Sequence, residues 1–123
     1  MSMNNDRSEN TNYRNNEDYP DERLEELVYS LVNSIPKGMI STYKDIAVAV
    51  GRPNAARLIG KILNRNPNPI VVPCHRVVKS DGSIGGYRFG TSIKIELLKH
   101  EGIIVDESRM RIINFNRVRF KFH

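Results

Sequence analysis

The chain is poor in cysteine: Cys74 stands alone among 123 residues. That excludes an internal disulfide framework and any zinc site built from several thiolates. Long apolar runs are missing too. No stretch approaches the roughly 18 apolar residues of a membrane span, and no short apolar segment near the start reads as a signal peptide. The expectation is an intracellular protein, cytoplasmic or nuclear in a eukaryote, with no membrane partner. No internal repeat is present. What remains is 39% hydrophobic and 27% charged, an ordinary balance in a length that holds one modest core.

Charge leans one way. Nineteen Lys and Arg against fourteen Asp and Glu give +5, with a pI near 9.6. Basic residues collect late (Lys94, Lys99, Arg109, Arg111, Arg117, Arg119, Lys121), whereas the early segment carries most of the acids. Such a surface suits a polyanion, because lysine and arginine displace counterions from phosphates. A solvated basic face fits as well.

Residues 1–19 are polar, with Tyr13 and Tyr19 the only large side chains, and bury too little to offset their ordering entropy. They read as a flexible tail ahead of a folded domain over 20–123. Asp21 can cap a helix whose stripe is Leu24, Leu27, Val28, Leu31 and Ile35, ended by Asn33, Pro36 and Gly38. Thr42, with Asp45 three residues on, opens a second helix buried through Ile46, Ala47 and Val50 and stopped by Gly51. Pro53 suits the first turn of a third, facing inward through Leu58, Ile59, Ile62 and Leu63. Two helices joined through a glycine read as a helix-turn-helix, an arrangement that also occurs away from DNA.

Beyond Asn66 the prolines forbid helix, and Ile70, Val71 and Val72 suggest a short buried extended run to Pro73. Asp81-Gly82 reads as a hairpin turn and Gly85-Gly86 as a flexible loop. A further helix runs from about Ser92 to His100. Val118, Phe120 and Phe122 alternate with Arg117, Arg119 and Lys121, a strand pattern for a terminal hairpin or wing. The expected fold is mostly α within the α/β class: a winged helix-turn-helix with a short C-terminal β-hairpin.

The candidate chemistry lies at PCHRV. Sulfur attacks as thiolate, and a free thiol near pKa ~8.5 is largely protonated at neutral pH. His75 is a candidate base and Arg76 an electrostatic helper. On an extended strand the Cys74 and His75 side chains would point apart, so a turn or a bridging water is needed. Glu101, at a helix end, is the candidate to orient the imidazole. Taken singly, a lone cysteine is more often a small buried hydrophobe.

PCHRVV resembles the active-site motif of the O6-alkylguanine-DNA alkyltransferases, also called methylated-DNA–protein-cysteine methyltransferases. GMISTYKDIA, RPNAARLIGKILNRNPNPIVVPCHRVV, DGSIGGY and LLKHEG follow that family's catalytic part in order and spacing, over about residues 23 to 103. The resemblance implies direct DNA repair, in which Cys74 takes the alkyl group of an everted O6-alkylguanine and is spent. His75 would activate the sulfur through water, Glu101 would polarise His75, and Asn66 would hold the turn before the active-site segment. Tyr43 would press on the target phosphate and donate to the base. The Val77 carbonyl would accept from the guanine amino group, the Arg88 amide would donate to O6, and Tyr87 would flank the pocket. Arg57 would fill the vacated stack, and Arg76 joins it and Tyr43 as a DNA contact. The implied partner is double-stranded DNA carrying O6-alkylguanine, approached by a monomer from the minor groove, with no cofactor and no metal.

Two departures and two rivals stand beside this reading. The additional N-terminal α/β domain of most members is not expected here, and Phe89 replaces a smaller residue at the pocket rim. Alkyltransferase-like proteins, which bind the lesion and signal excision repair without transfer, usually carry tryptophan in place of the cysteine; this chain keeps Cys74. A plain winged helix-turn-helix regulator would leave PCHRV unexplained.

Overall fold

Leu24, Val28 and Val32 recur at four-residue intervals, and that spacing winds Glu22–Asn33 into α1 with all three on its buried face. In the computed structural model, which describes residues 22–69 and 71–122, Leu27 departs from the expected stripe at 45% exposure. At 100° per residue it lies roughly 100° from the centre of the buried face. The expected tail, the Asp21 cap and Ile70 lie outside the described residues.

Ser41–Thr42 forms β1, and Thr42 then caps α2, Tyr43–Ala49, by accepting from the Asp45 amide at 2.9 Å. The Asp45 carboxylate accepts from the Arg119 guanidinium, at 2.6 and 2.9 Å, as well as from Thr42. Burial pushes the Asp45 carboxyl up, yet its bonds to Arg119 hold it below the ordinary range. Helix α2 ends in a Schellman motif: the Gly51 amide donates to Val48 O and the Arg52 amide to Ala47 O, with Gly51 at φ 80°.

The next helix, α3, runs Ala56–Asn64, three residues later than Pro53 suggested. Pro53 instead occupies the second position of a turn closed by Ala55 N to Arg52 O at 2.9 Å, where its fixed φ is favoured. Leu58, Ile59, Ile62 and Leu63 are buried as expected, and α2 and α3 pack on each other and on α1. This is the helix-turn-helix.

The segment before Cys74 is not a strand. Val72 N donates to Asn68 O at 3.0 Å and Val71 is 64% exposed; three prolines within 67–73 deny this stretch the donors a ladder needs. A 3-10 turn, Cys74–Arg76, leads into β2, Val77–Val78, which pairs in parallel with β1 (Ser41↔Val77, Thr42↔Val78). This ladder divides two apolar clusters. One holds the buried faces of α1, α2 and α3 together with Cys74 and Val77. The other gathers Ile40, Val78, Ile84, Ile95, Leu98, Ile103 and Ile112.

Helix α4, Thr91–His100, ends in a second Schellman motif, with Gly102 N to Lys99 O and Ile103 N to Leu98 O, each at 3.0 Å. Leu98 and Ile103 are both buried, the apolar contact that accompanies this cap. The hairpin forms from β3, Val105–Asp106, and β4, Arg111–Ile112, rather than from 117–122. Its β4 also meets the Lys79–Ser83 turn through Ile112 N to Gly82 O at 2.8 Å.

Arg117 and Val118, at the start of the predicted terminal strand, instead close a short helix, α5, Phe115–Val118, and one bridge, Ile40 to Arg119, remains. Phe120 and Phe122 pack together edge to face at 5.4 Å against the first cluster. The architecture is mostly helical with two small sheets, in agreement with the expected class.

Candidate active site

Asn66 organises the approach to Cys74. It is 1% exposed. Its Nδ2 donates to Val72 O at 3.1 Å and lies 3.6 Å from Cys74 Sγ, while Oδ1 accepts from Asn68 N at 3.0 Å. One side chain therefore satisfies both strands of the 66–72 loop and points a donor at the sulfur. The Arg88 guanidinium closes the same corner by donating to the Asn66 carbonyl.

Cys74 and His75 share the 3-10 turn rather than a strand, which removes the objection that their side chains must point apart. Both are buried, at 5% and 6% exposure. His75 Nε2 lies 2.8 Å from Glu101 Oε2. The carboxylate can only accept, so Nε2 carries the proton and Nδ1 keeps a bare lone pair. Nδ1 is buried and makes no hydrogen bond among the described residues. Burial pushes the His75 pKa below its ordinary 6.5 despite the bond to Glu101. Burial likewise pushes the Cys74 thiol up, against the pull of Asn66, its own backbone, Lys94 and Arg88. At neutral pH the pair is thus a thiol beside a neutral imidazole with a free basic nitrogen.

Glu101 is the C-cap of α4, where the helix dipole opposes a negative charge. Arg76 offsets that. Its Nε donates to Oε1 at 2.9 Å, Nη2 to Oε2 at 2.7 Å and Nη1 to Ile35 O at 2.8 Å. Burial raises the Glu101 pKa, but the bonds from Arg76 and His75 overcome it and leave the carboxyl below its ordinary value. Arg76, expected among the DNA contacts, is committed inside the protein, 16% exposed, as the buttress of Glu101.

Lys94 carries a role that sequence reasoning missed. It is fully buried, and its ammonium donates to Val77 O, Ile84 O and Gly86 O at 2.7, 2.6 and 2.9 Å, with Tyr43 Oη at 3.5 Å. Burial pulls its pKa down to about 7. The signal was there: Lys94 stands four residues before buried Leu98, on the apolar face of α4. The Val77 carbonyl, expected to face guanine, is one of the acceptors held by this ammonium, and a carbonyl retains a second lone pair. The loop taken as flexible is tied down, since Gly86 O also accepts from Tyr43 Oη at 3.4 Å. A side chain at Gly85 would be strained: at φ 75° its Cβ would sit 3.3 Å from the Tyr43 ring and 3.2 Å from Lys79. Burial lifts the Tyr43 phenol to about 12, so it stays a donor.

The sulfur is not sealed. Cys74 lines a cavity of ≈ 250 Å³ with Gly60, Leu63, Asn64, Tyr87 and Arg88. Phe89 is half exposed, its ring edge to face with Tyr87 at 5.9 Å. A neighbouring cavity of ≈ 510 Å³ shares Gly60 and Gly86 and is walled by Tyr43 and Arg57. Arg57 lies on the exposed side of α3. The structure therefore brings Asn66 to Cys74, and His75 and Arg76 to Glu101, with Tyr87 and Arg88 lining the cavity at Cys74, Tyr43 and Arg57 walling the adjoining one, and the Val77 carbonyl held by Lys94.

Fold and site together define a helix-turn-helix domain in which a cysteine lines a cavity and shares its turn with a histidine paired to a glutamate. Comparison with known proteins names the family. The pattern described as "6-O-methylguanine DNA methyltransferase, DNA binding domain" matches residues 23–103. A bifunctional methyltransferase/endonuclease of Picrophilus torridus is 44% identical over 97 residues, 79% of this chain and 32% of its own length. A methylated-DNA–protein-cysteine methyltransferase of Methanosarcina barkeri is 48% identical over 78 residues, 63% of this chain. The chain thus spans about a third of the first relative and about half (49%) of the second. Among solved structures, S. pombe Atl1 in complex with damaged DNA containing O6-carboxymethylguanine superposes with a TM-score of 0.73 at 28% identity, covering 84% of this chain and 99% of Atl1. The chain belongs to the 6-O-methylguanine DNA methyltransferase family through its DNA-binding domain.

Proposed function

We propose that this chain removes an alkyl group from O6 of guanine in double-stranded DNA and keeps it on Cys74, as a monomer and once per molecule. The observation that carries this reading is the buried His75–Glu101 pair, with its free Nδ1, on the same turn as a cysteine that lines a cavity. The names and DNA complexes of the relatives support it.

The target atom is stacked inside a duplex, so the nucleotide must be everted, at a cost of a few kcal/mol. Arg57 enters the gap from the minor-groove side, where a planar guanidinium can stack and hydrogen-bond. Tyr43 presses on the phosphate and donates to the base, Tyr87 flanks it, and the Val77 carbonyl accepts from the exocyclic amine. The thiol proton passes through a bridging water to Nδ1 of His75. Sulfur then attacks the alkyl carbon in line; the C–S bond forms as the C–O6 bond breaks, and its electron pair goes to O6. The Arg88 amide stabilises that charge, and the departing purine takes a proton from solvent. A thioether has no low-energy route back to thiol, so turnover stops. Nucleophile and base are both side chains, and the step requires neither metal nor cofactor.

One observation favours a second reading, binding without transfer: the chain superposes on nearly all of Atl1. Cys74 itself speaks for transfer. A duplex carrying O6-methylguanine, digested to nucleosides after incubation, is expected to lose one O6-methylguanine and gain one guanine per protein molecule. A lesion that is bound but undiminished would overturn transfer and favour the second reading.

A further inference from the structure

A third cavity, ≈ 650 Å³, opens beside the one walled by Tyr43 and Arg57 and shares Lys44 and Ser80 with it. Its far wall is the C-terminal segment, through Arg119, Lys121 and Phe122. Among the described residues the one acid lining it, Asp45, is neutralised by its two bonds to Arg119. Lys44 and Lys121 are exposed and make no ion pair among the described residues. Two uncompensated cations therefore face a trough that runs on from Lys79 and Arg57. The geometry of a cationic channel open along its length suits a chain of phosphates. Residue 121 lies beyond residue 103, where the family pattern ends.

We propose that the DNA footprint continues past the everted nucleotide along this trough, and that Lys44 and Lys121 each bind a backbone phosphate flanking the lesion. This rests on the DNA-binding reading above. The C-terminal segment is held to deliver Lys121 there: Ile40 N to Val118 O at 2.9 Å and Phe120 N to Ile40 O at 2.7 Å fix its backbone on either side of Arg119, whose side chain is clamped to Asp45.

The test is the salt dependence of binding to an undamaged duplex, read by fluorescence anisotropy, so that no alkyl transfer intervenes. Each phosphate contact adds about 0.9 to the slope of log K against log salt. Lys121→Ala should lower the slope by about 0.9, equivalent to roughly a threefold to fourfold smaller loss of affinity between 50 and 200 mM salt. Lys44→Ala/Lys121→Ala should lower it by about 1.8, and Lys121→Arg should restore it. Lys121→Ala should react with free O6-benzylguanine at the wild-type rate. An unchanged slope in both alanine variants of a wild type that binds DNA overturns the trough alone. A wild type with no salt-dependent binding overturns the DNA reading as well.

Discussion

Replacing Arg76 with Met separates a buttress from a phosphate ligand. The substitution keeps much of the aliphatic bulk and removes three donors, at 2.7 to 2.9 Å, from Glu101 and the Ile35 carbonyl. Glu101 would then remain 11% exposed at a helix C-terminus with only His75 beside it. Breaking a buried pair in this way costs about 3–5 kcal/mol, a large share of the 5–15 kcal/mol typical of a domain. With a urea m-value of about 1–3 kcal/mol/M, a loss of 3 kcal/mol moves the unfolding midpoint by about 1 M or more. The deficit should depend on pH. Glu101 has a folded pKa below its ordinary 4.5, so its paired carboxylate stabilises the fold fully above that value and loses this contribution as pH falls through the depressed pKa. The gap between wild type and variant is therefore widest above about pH 4.5 and narrows below it. Urea titrations at pH 7 and pH 4 read both quantities. A loss under about 1 kcal/mol at pH 7, together with a smaller salt slope for DNA binding, would refute the reasoning and return Arg76 to the DNA.

Other perturbations probe the same site. Asn66→Ala strands the Val72 carbonyl and the Asn68 amide and should cost about 2–4 kcal/mol in denaturant titrations; it should also raise the Cys74 pKa, read by thiol absorbance against pH, since Asn66 lowers it. Burial sets the His75 pKa below 6.5, so the alkylation rate should stay flat down through that value and fall only in more acidic buffer. Glu101→Gln removes an interaction that raises His75 and should shift this acid limb to still lower pH while slowing the plateau; an unmoved limb would take Glu101 out of the relay. Arg57→Ala, at an exposed position on α3, should slow repair of duplex DNA far more than reaction with free O6-benzylguanine, and equal losses would contradict its entry into the stack.

The His75–Glu101 pair was legible because its parts are written locally. PCHRV puts His75 beside Cys74, and the Gly102 stop brings Glu101 to the imidazole across 26 residues. The helices of the helix-turn-helix were legible for the same reason: Thr42, Gly51 and the apolar spacing of α3 act within a turn or two. What escaped depends on distant partners. Lys94 looks like a surface lysine until Val77, Ile84 and Gly86 converge on it from other elements. Arg76 looks free for DNA until Glu101 and Ile35 claim its guanidinium. The alternation of 117–122 promises a strand, but among the described residues it forms a single bridge, to Ile40, and one bridge cannot make a sheet.

The central claim is tested most directly by where the alkyl group ends up. Duplex DNA containing guanine with a deuterated O6-methyl group is incubated with the protein, which is then digested and mapped by mass spectrometry. The account predicts one labelled methyl on the peptide containing Cys74 and none after Cys74→Ala. Label on another residue, or none on a protein that binds the lesion, would contradict it.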